Sequence, residues 1–143
     1  MDRSTALTYL TNEFAELAAD AGFSSGQTTT AYNIALDMSL RQLGYAEIDL
    51  ATTDVGQSNI LNYLSLMTYY ALKRFARLLA LRVDTTVGMQ LQAKRSQAAI
   101  QVKALLDDAE AEVIAKGFQV GPVPAFALGR MNLDFMEPSY GEY

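Results

Sequence analysis

The chain has 143 residues, half of them apolar, and a formal net charge of −5 at pH 7. It contains no His and no Cys, which excludes disulfides and Cys-ligated metals and removes the usual general base near neutral pH. The acidic balance argues against nucleic-acid binding driven by phosphate neutralisation. The apolar runs are too short for a spanning helix and no signal-peptide pattern is visible, so we predict one compact domain and no membrane partner.

Two amphipathic helices are predicted before residue 45. The first spans 4–21, with Ser4 as its N-cap and Gly22 at its C-terminal end. The second is capped by one of the threonines at 28–30 and ends near Gly44. It carries two apolar stripes, which predicts burial between layers. One stripe comprises Ala31, Ile34, Ala35 and Met38, and the other comprises Leu36, Leu40 and Leu43.

The longest predicted helix lies near residues 57–82, with Asp54 or Ser58 at its start. Its apolar surface is too broad for one neighbour, so helices on several sides or other subunits must cover it. It also carries a basic cluster of Lys73, Arg74 and Arg77. Such side chains contact phosphates, cover apolar surface, or pair with acids across a subunit boundary.

We predict an irregular or extended link at residues 83–97, because β-branched residues and Gly88 both disfavour a continuous helix there. Helicity is expected to resume near Ser96, and the last helix should end at Gly117. The expected fold class is therefore all-α, a small bundle of about four helices over residues 1–117 followed by an extended C-terminal arm at 118–143. Pro and Gly exclude a long helix in the arm, and its many aromatic residues favour docking on a surface over a frayed terminus.

No catalytic constellation is visible in the sequence. The acidic pairs Asp107/Asp108 and Glu110/Glu112 point to different faces of a helix, and no phosphate-binding glycine loop or calcium loop is present. We therefore predict a protein that is not an enzyme and needs no cofactor.

Residues 70–113 carry a recognisable pattern: a long helix, a V-D-x-x-x-G link, an S-Q pair opening a second helix, and a Leu-rich acidic stretch. The pattern resembles the adaptor, or head–tail connector, proteins of long-tailed bacteriophages. The LRQLGY end of the second predicted helix, at 40–45, is consistent with the same family. The matching residues are Val83, Asp84, Gly88, Ser96, Gln97, Leu105, Leu106, Asp107 and Glu110.

The resemblance implies a structural virion protein, made in the host cytoplasm and located in the neck at the capsid portal vertex. Its partners would be itself, as a ring typically of twelve copies, the portal protein, and a stopper or tail-completion protein. DNA would pass through the lumen without specific binding. The alternative is a small helical regulator that binds a protein partner or DNA.

We expect the portal and subunit contacts in two segments, the link and the arm. The predicted interface residues are Val83, Asp84, Gly88, Ser96, Gln97, Phe118, Val120, Phe126, Leu128, Met131, Leu133, Phe135, Tyr140 and Tyr143.

Overall fold

The computed structural model describes residues 1–81 and 89–120, and side chains at 1–80 and 94–120. Across these ranges the chain forms five α-helices and two short 3₁₀ turns and contains no strand, which confirms the predicted all-α class. The helices are α1 (Arg3–Glu13), α2 (Ala15–Ala21), α3 (Ser25–Gln42), α4 (Ile60–Leu81) and α5 (Met89–Ala115). Most of the predicted interface lies outside the described residues, namely Val83, Asp84, Gly88, Phe126, Leu128, Met131, Leu133, Phe135, Tyr140 and Tyr143.

The first predicted helix is in fact two helices, separated at Phe14. The cap of α1 is Asp2, whose Oδ1 accepts from the Thr5 N–H at 2.8 Å, and not Ser4. Neither Gly nor Pro stands at the break. Phe14 is buried and packs on Phe75, so tertiary packing overrides the local helical pattern here. The predicted end at Gly22 is confirmed by its left-handed φ of 76°.

Helix α3 begins at Ser25, earlier than the predicted threonine caps. The reason is a capping box at Ser24. The Gln27 N–H donates to Ser24 Oγ at 3.2 Å, and the Ser24 N–H donates to Gln27 Oε1 at 3.0 Å. The helix ends at Gln42, and Gly44 adopts a φ of 97°, as its predicted role requires.

Helix α5 begins at Met89 and, at 27 residues, is longer than the 22-residue α4. The prediction of a link as far as residue 97 was therefore wrong over 89–97, as was the placing of the longest helix near 57–82. These residues contain good helix formers and no Gly or Pro, so helicity can begin directly after Gly88. The predicted end at Gly117 is confirmed by a φ of 92°.

Helix α4 packs between α3 and α5, which accounts for its broad apolar surface. At the centre of the core, the ring of Phe75 lies 5.6 Å from Phe14, 5.1 Å from Phe23 and 5.9 Å from Tyr32, between ring centroids. Such contacts add to the hydrophobic stabilisation supplied by burial of the rings themselves. The core therefore joins α3, α4 and the two ends of the α2 segment around one aromatic side chain.

Arg3 ties α1 to α3 and to the segment that precedes α4. Its guanidinium donates to Asn33 Oδ1 at 2.9 Å and to the Leu50 carbonyl at 3.2 Å, and lies 2.9 Å from an Asp37 carboxylate oxygen. The Arg3 side chain is half-buried. Charge-assisted hydrogen bonds of this kind contribute more than exposed ion pairs.

Arg3→Ala is expected to lower the free energy of unfolding by about 2 kcal/mol, because it removes several charge-assisted hydrogen bonds at once. Arg41→Ala is the matched control, because Arg41 pairs with Glu47 at 2.6 Å on an exposed surface, and should leave the urea midpoint nearly unchanged. Urea unfolding followed by circular dichroism measures both. Equal effects of the two substitutions would contradict this role of Arg3.

Candidate interaction surfaces

Four predicted interface residues lie in the described part of the chain, and the structure does not bring them together. Ser96 and Gln97 are exposed near the start of α5. Phe118 and Val120 are half-buried and pack against a second small cluster of Leu66, Tyr69 and Val113. The Gln42 side-chain amide donates to the Gln119 carbonyl at 2.8 Å. Residues 118–120 thus lie against helices of their own chain.

A groove between α3 and α4, which we call the basic groove, combines apolar and cationic side chains. Its volume is about 200 Å³, and it is lined by Ile34, Met38, Tyr70, Lys73, Arg74 and Arg77. Ile34 and Met38 are 38% and 39% exposed. The sequence pattern placed these two residues on a buried stripe, and that expectation was wrong for both. The α3 stripe is covered through Ala31 and Ala35, while Ile34 and Met38 reach its open edge.

The cations of the basic groove are not neutralised by the side chains described. None of Lys73, Arg74 and Arg77 forms a salt bridge with another described residue. The Lys73 ammonium lies 5.7 Å from the centroid of the Tyr69 ring. Within residues 1–81 and 89–120, the buried Nε of Arg74 has no hydrogen-bond partner. The groove therefore presents positive charge beside exposed apolar surface.

A second groove, the acidic groove, lies where α1, α2, α4 and α5 meet. Its volume is about 290 Å³, and its lining includes the carboxylates of Glu13, Glu16, Asp108 and Glu112 together with Leu105. Leu105 is 37% exposed. Among the described residues, Glu13, Glu16 and Asp108 form no salt bridge. This groove therefore pairs excess negative charge with one exposed apolar side chain.

Glu112 differs from the other three carboxylates because side chains of α4 and of the segment after α5 bind it. The Ser65 hydroxyl donates to a Glu112 carboxylate oxygen, and the Lys116 ammonium lies 3.5 Å away. The Ser65 hydrogen bond, followed by Lys116, holds the pKa of Glu112 below its usual value. Glu112 therefore stays ionised as part of a local network joining α4 and α5.

The two grooves lie on opposite sides of α4. Thr68 and Leu72 line the acidic groove, whereas Tyr70 and Arg74 line the basic groove. Residues two positions apart on an α-helix point about 200° apart. The chain therefore carries a basic surface and an acidic surface that cannot touch each other.

Sequence reasoning found only part of these surfaces. It identified the cluster of Lys73, Arg74 and Arg77, but not the exposed pair Ile34 and Met38 beside it. A local signal for the exposure of Met38 was the end of the α3 apolar stripe, where the next residue on the same face is the basic Arg41. The acidic groove draws on residues up to 99 positions apart, Glu13 and Glu112, and no local pattern predicts it.

Comparison of the chain with protein-family models, curated proteins and solved structures gives no match. Among the described helices, none combines the length and apolar character needed to cross a membrane. No group of three or more carboxylates in the described ranges is placed to hold a metal ion. Fold and surface thus define a small all-α protein with two oppositely charged grooves.

Proposed function

We propose that the chain is an adaptor subunit of a long-tailed bacteriophage, forming a ring beneath the portal that extends the DNA channel and docks the next neck or tail protein. The observation that carries this proposal is the pattern of residues 70–113. Its two helical halves lie in α4 and α5, which pack together, and its V-D-x-x-x-G stretch falls between them in the sequence. Its S-Q pair, at Ser96 and Gln97, lies within α5 and does not open that helix, which begins at Met89. The charged grooves support the proposal, since an assembly protein needs surfaces for its neighbours.

The net charge of −5 suits the proposed position beside a DNA channel. A negatively charged wall repels phosphate, so the duplex can pass without being held. In this role the ring, the portal and a stopper or tail-completion protein are the partners, and no cofactor takes part.

Truncation after Val120 tests the proposed docking role of the arm. Residues 118–120 are retained because Phe118 and Val120 pack on the subunit's own cluster. The truncated chain should keep its helical circular dichroism and thermal midpoint, but its co-sedimentation with portal-bearing capsids should fall at least about tenfold, the equivalent of about 1.4 kcal/mol of binding free energy. A full-length chain with residues 121–143 in scrambled order is the matched control for length and composition.

Two outcomes separate the parts of this proposal. Equal capsid binding by the truncated and full-length chains would show that the arm does not dock. Failure of the full-length chain itself to join portal-bearing capsids would overturn the adaptor function.

A small regulator that binds DNA is the second candidate, and it is favoured by the cations of the basic groove, which form no salt bridge with any described residue. It predicts measurable duplex affinity at low salt that falls steeply as salt is added. Labelled DNA duplex is titrated with the chain at low salt, and the absence of binding would exclude this function.

A further inference from the structure

We infer that the basic groove is the site at which a second copy of this chain docks, through the acidic groove of that copy. Leu105 of the second copy would lie against Ile34 and Met38. Its Glu13, Glu16 and Asp108 carboxylates would face Lys73, Arg74 and Arg77. This inference rests on the proposed ring and names the contact between its subunits.

Charge complementarity is the first argument. The basic groove has three cations without a salt bridge, and the acidic groove has three carboxylates without one, counted among the described residues. Two copies carrying −5 each repel at long range, so association requires a local surface where the sign is reversed. The basic groove provides that surface.

The apolar side chains favour a second copy over a nucleic acid. A phosphate backbone would pair with the cations but would leave Ile34 and Met38 in water. The acidic groove offers Leu105, itself 37% exposed, beside its carboxylates. A volume of about 200 Å³ suits one such side chain, since a cavity of about 150 Å³ accepts benzene.

The positions of the two grooves set the symmetry. Because they lie on opposite sides of α4, each copy can receive one neighbour and dock on another. Such head-to-tail contacts close into a ring or extend as a filament. A two-fold dimer would instead require both grooves of one copy to face both grooves of the other at once, which two surfaces on opposite sides of α4 do not allow.

Cysteine cross-linking tests the contact directly, because the chain has no Cys of its own. Met38→Cys and Leu105→Cys chains are prepared separately and then mixed under oxidising conditions at high protein concentration. The mixture should give a cross-linked heterodimer in at least about tenfold excess over either chain alone, as expected for close approach of the two positions. Self-cross-linking of Met38→Cys alone, or no cross-link in the mixture, would overturn the inference.

Charge exchange provides a second test that does not depend on one pair of atoms. Lys73→Glu/Arg77→Glu should weaken association of the full chain at least about tenfold by placing like charges together, and Glu16→Lys/Asp108→Lys should do the same. Mixing the two variants should restore assembly, because every contact then joins opposite charges. Lys94→Glu/Lys103→Glu and Asp49→Lys/Asp107→Lys are the matched controls, since all four residues are exposed and line neither groove.

Sedimentation of each variant, with and without portal-bearing capsids, separates the two proposals. Capsid binding by the wild-type chain, together with charge-insensitive assembly, would overturn the groove contact and leave the adaptor function intact. Charge-dependent assembly without capsid binding would support the groove contact and overturn the adaptor function. Salt-sensitive binding of duplex DNA to the basic groove, with no cross-link between copies, would also overturn the inference.

Discussion

Phe75→Ala is expected to destabilise the domain by about 3–5 kcal/mol, the range for truncating a buried Phe in a well-packed core. The Phe75 side chain is 0% exposed and contacts the rings of Phe14, Phe23 and Tyr32. Its loss leaves a cavity between α3, α4 and the residues that flank α2, and three other rings lose their central partner. Since small domains are stable by roughly 5–15 kcal/mol, this change should remove a large part of the total.

Leu61→Ala is the matched control, because Leu61 lies on the same helix but is 71% exposed. It should change the free energy of unfolding by no more than about 0.5 kcal/mol. Urea unfolding of the wild-type chain and both variants at one pH measures the effects. A loss of less than about 1 kcal/mol for Phe75→Ala would mean that the aromatic cluster does not hold the core together.

The second large effect is expected at alkaline pH and depends on Tyr63. Burial of this phenol, first among the causes, raises its pKa from 10.0 to about 12. A raised pKa in the folded state means that the stability held by neutral Tyr63 is complete below pH 10 and is lost as pH rises through 12. Two pH units correspond to about 3 kcal/mol, so the free energy of unfolding should fall by roughly that amount across this window.

Tyr63→Phe separates this contribution from those of the other tyrosines. Burial also raises the pKa of Tyr32 and of Tyr70, so the variant should keep a shallower decline between pH 10 and 12. Urea midpoints at pH 8, 10, 11 and 12 give the two profiles. Identical slopes for the wild-type chain and the variant would contradict the assignment to Tyr63.

The proposed contact between copies would also change the charge that the assembly presents to DNA. Lys73, Arg74 and Arg77 would be covered by the next subunit and neutralised there. The remaining accessible surface would be more uniformly acidic, as the proposed channel requires. One pairing of grooves would therefore account for both the basic cluster and the acidic net charge.

The sequence by itself determined the all-α class, the ends of α2, α3 and α5, and the need to cover α4 on several sides. Helix ends could be predicted because Gly22, Gly44 and Gly117 adopt positive φ angles that side chains disfavour, and this preference is local. The first residue of a helix was harder to predict, because several residues near each start can serve as its N-cap. In α3 the N-cap is Ser24 and not one of the threonines at 28–30, because Ser24 and Gln27 form reciprocal hydrogen bonds.

Only the tertiary structure decided the break at Phe14, the exposure of Ile34 and Met38, and the two grooves. The break depends on where Phe75 lies, which no stretch of sequence around residue 14 encodes. Whether an apolar residue is exposed depends on which side chains of the neighbouring helix lie beside it. Beside Ile34 and Met38, α4 places Lys73, Arg74 and Arg77, which do not cover them. The grooves combine side chains from helices distant in sequence, so their charge emerges only when packing brings those helices together.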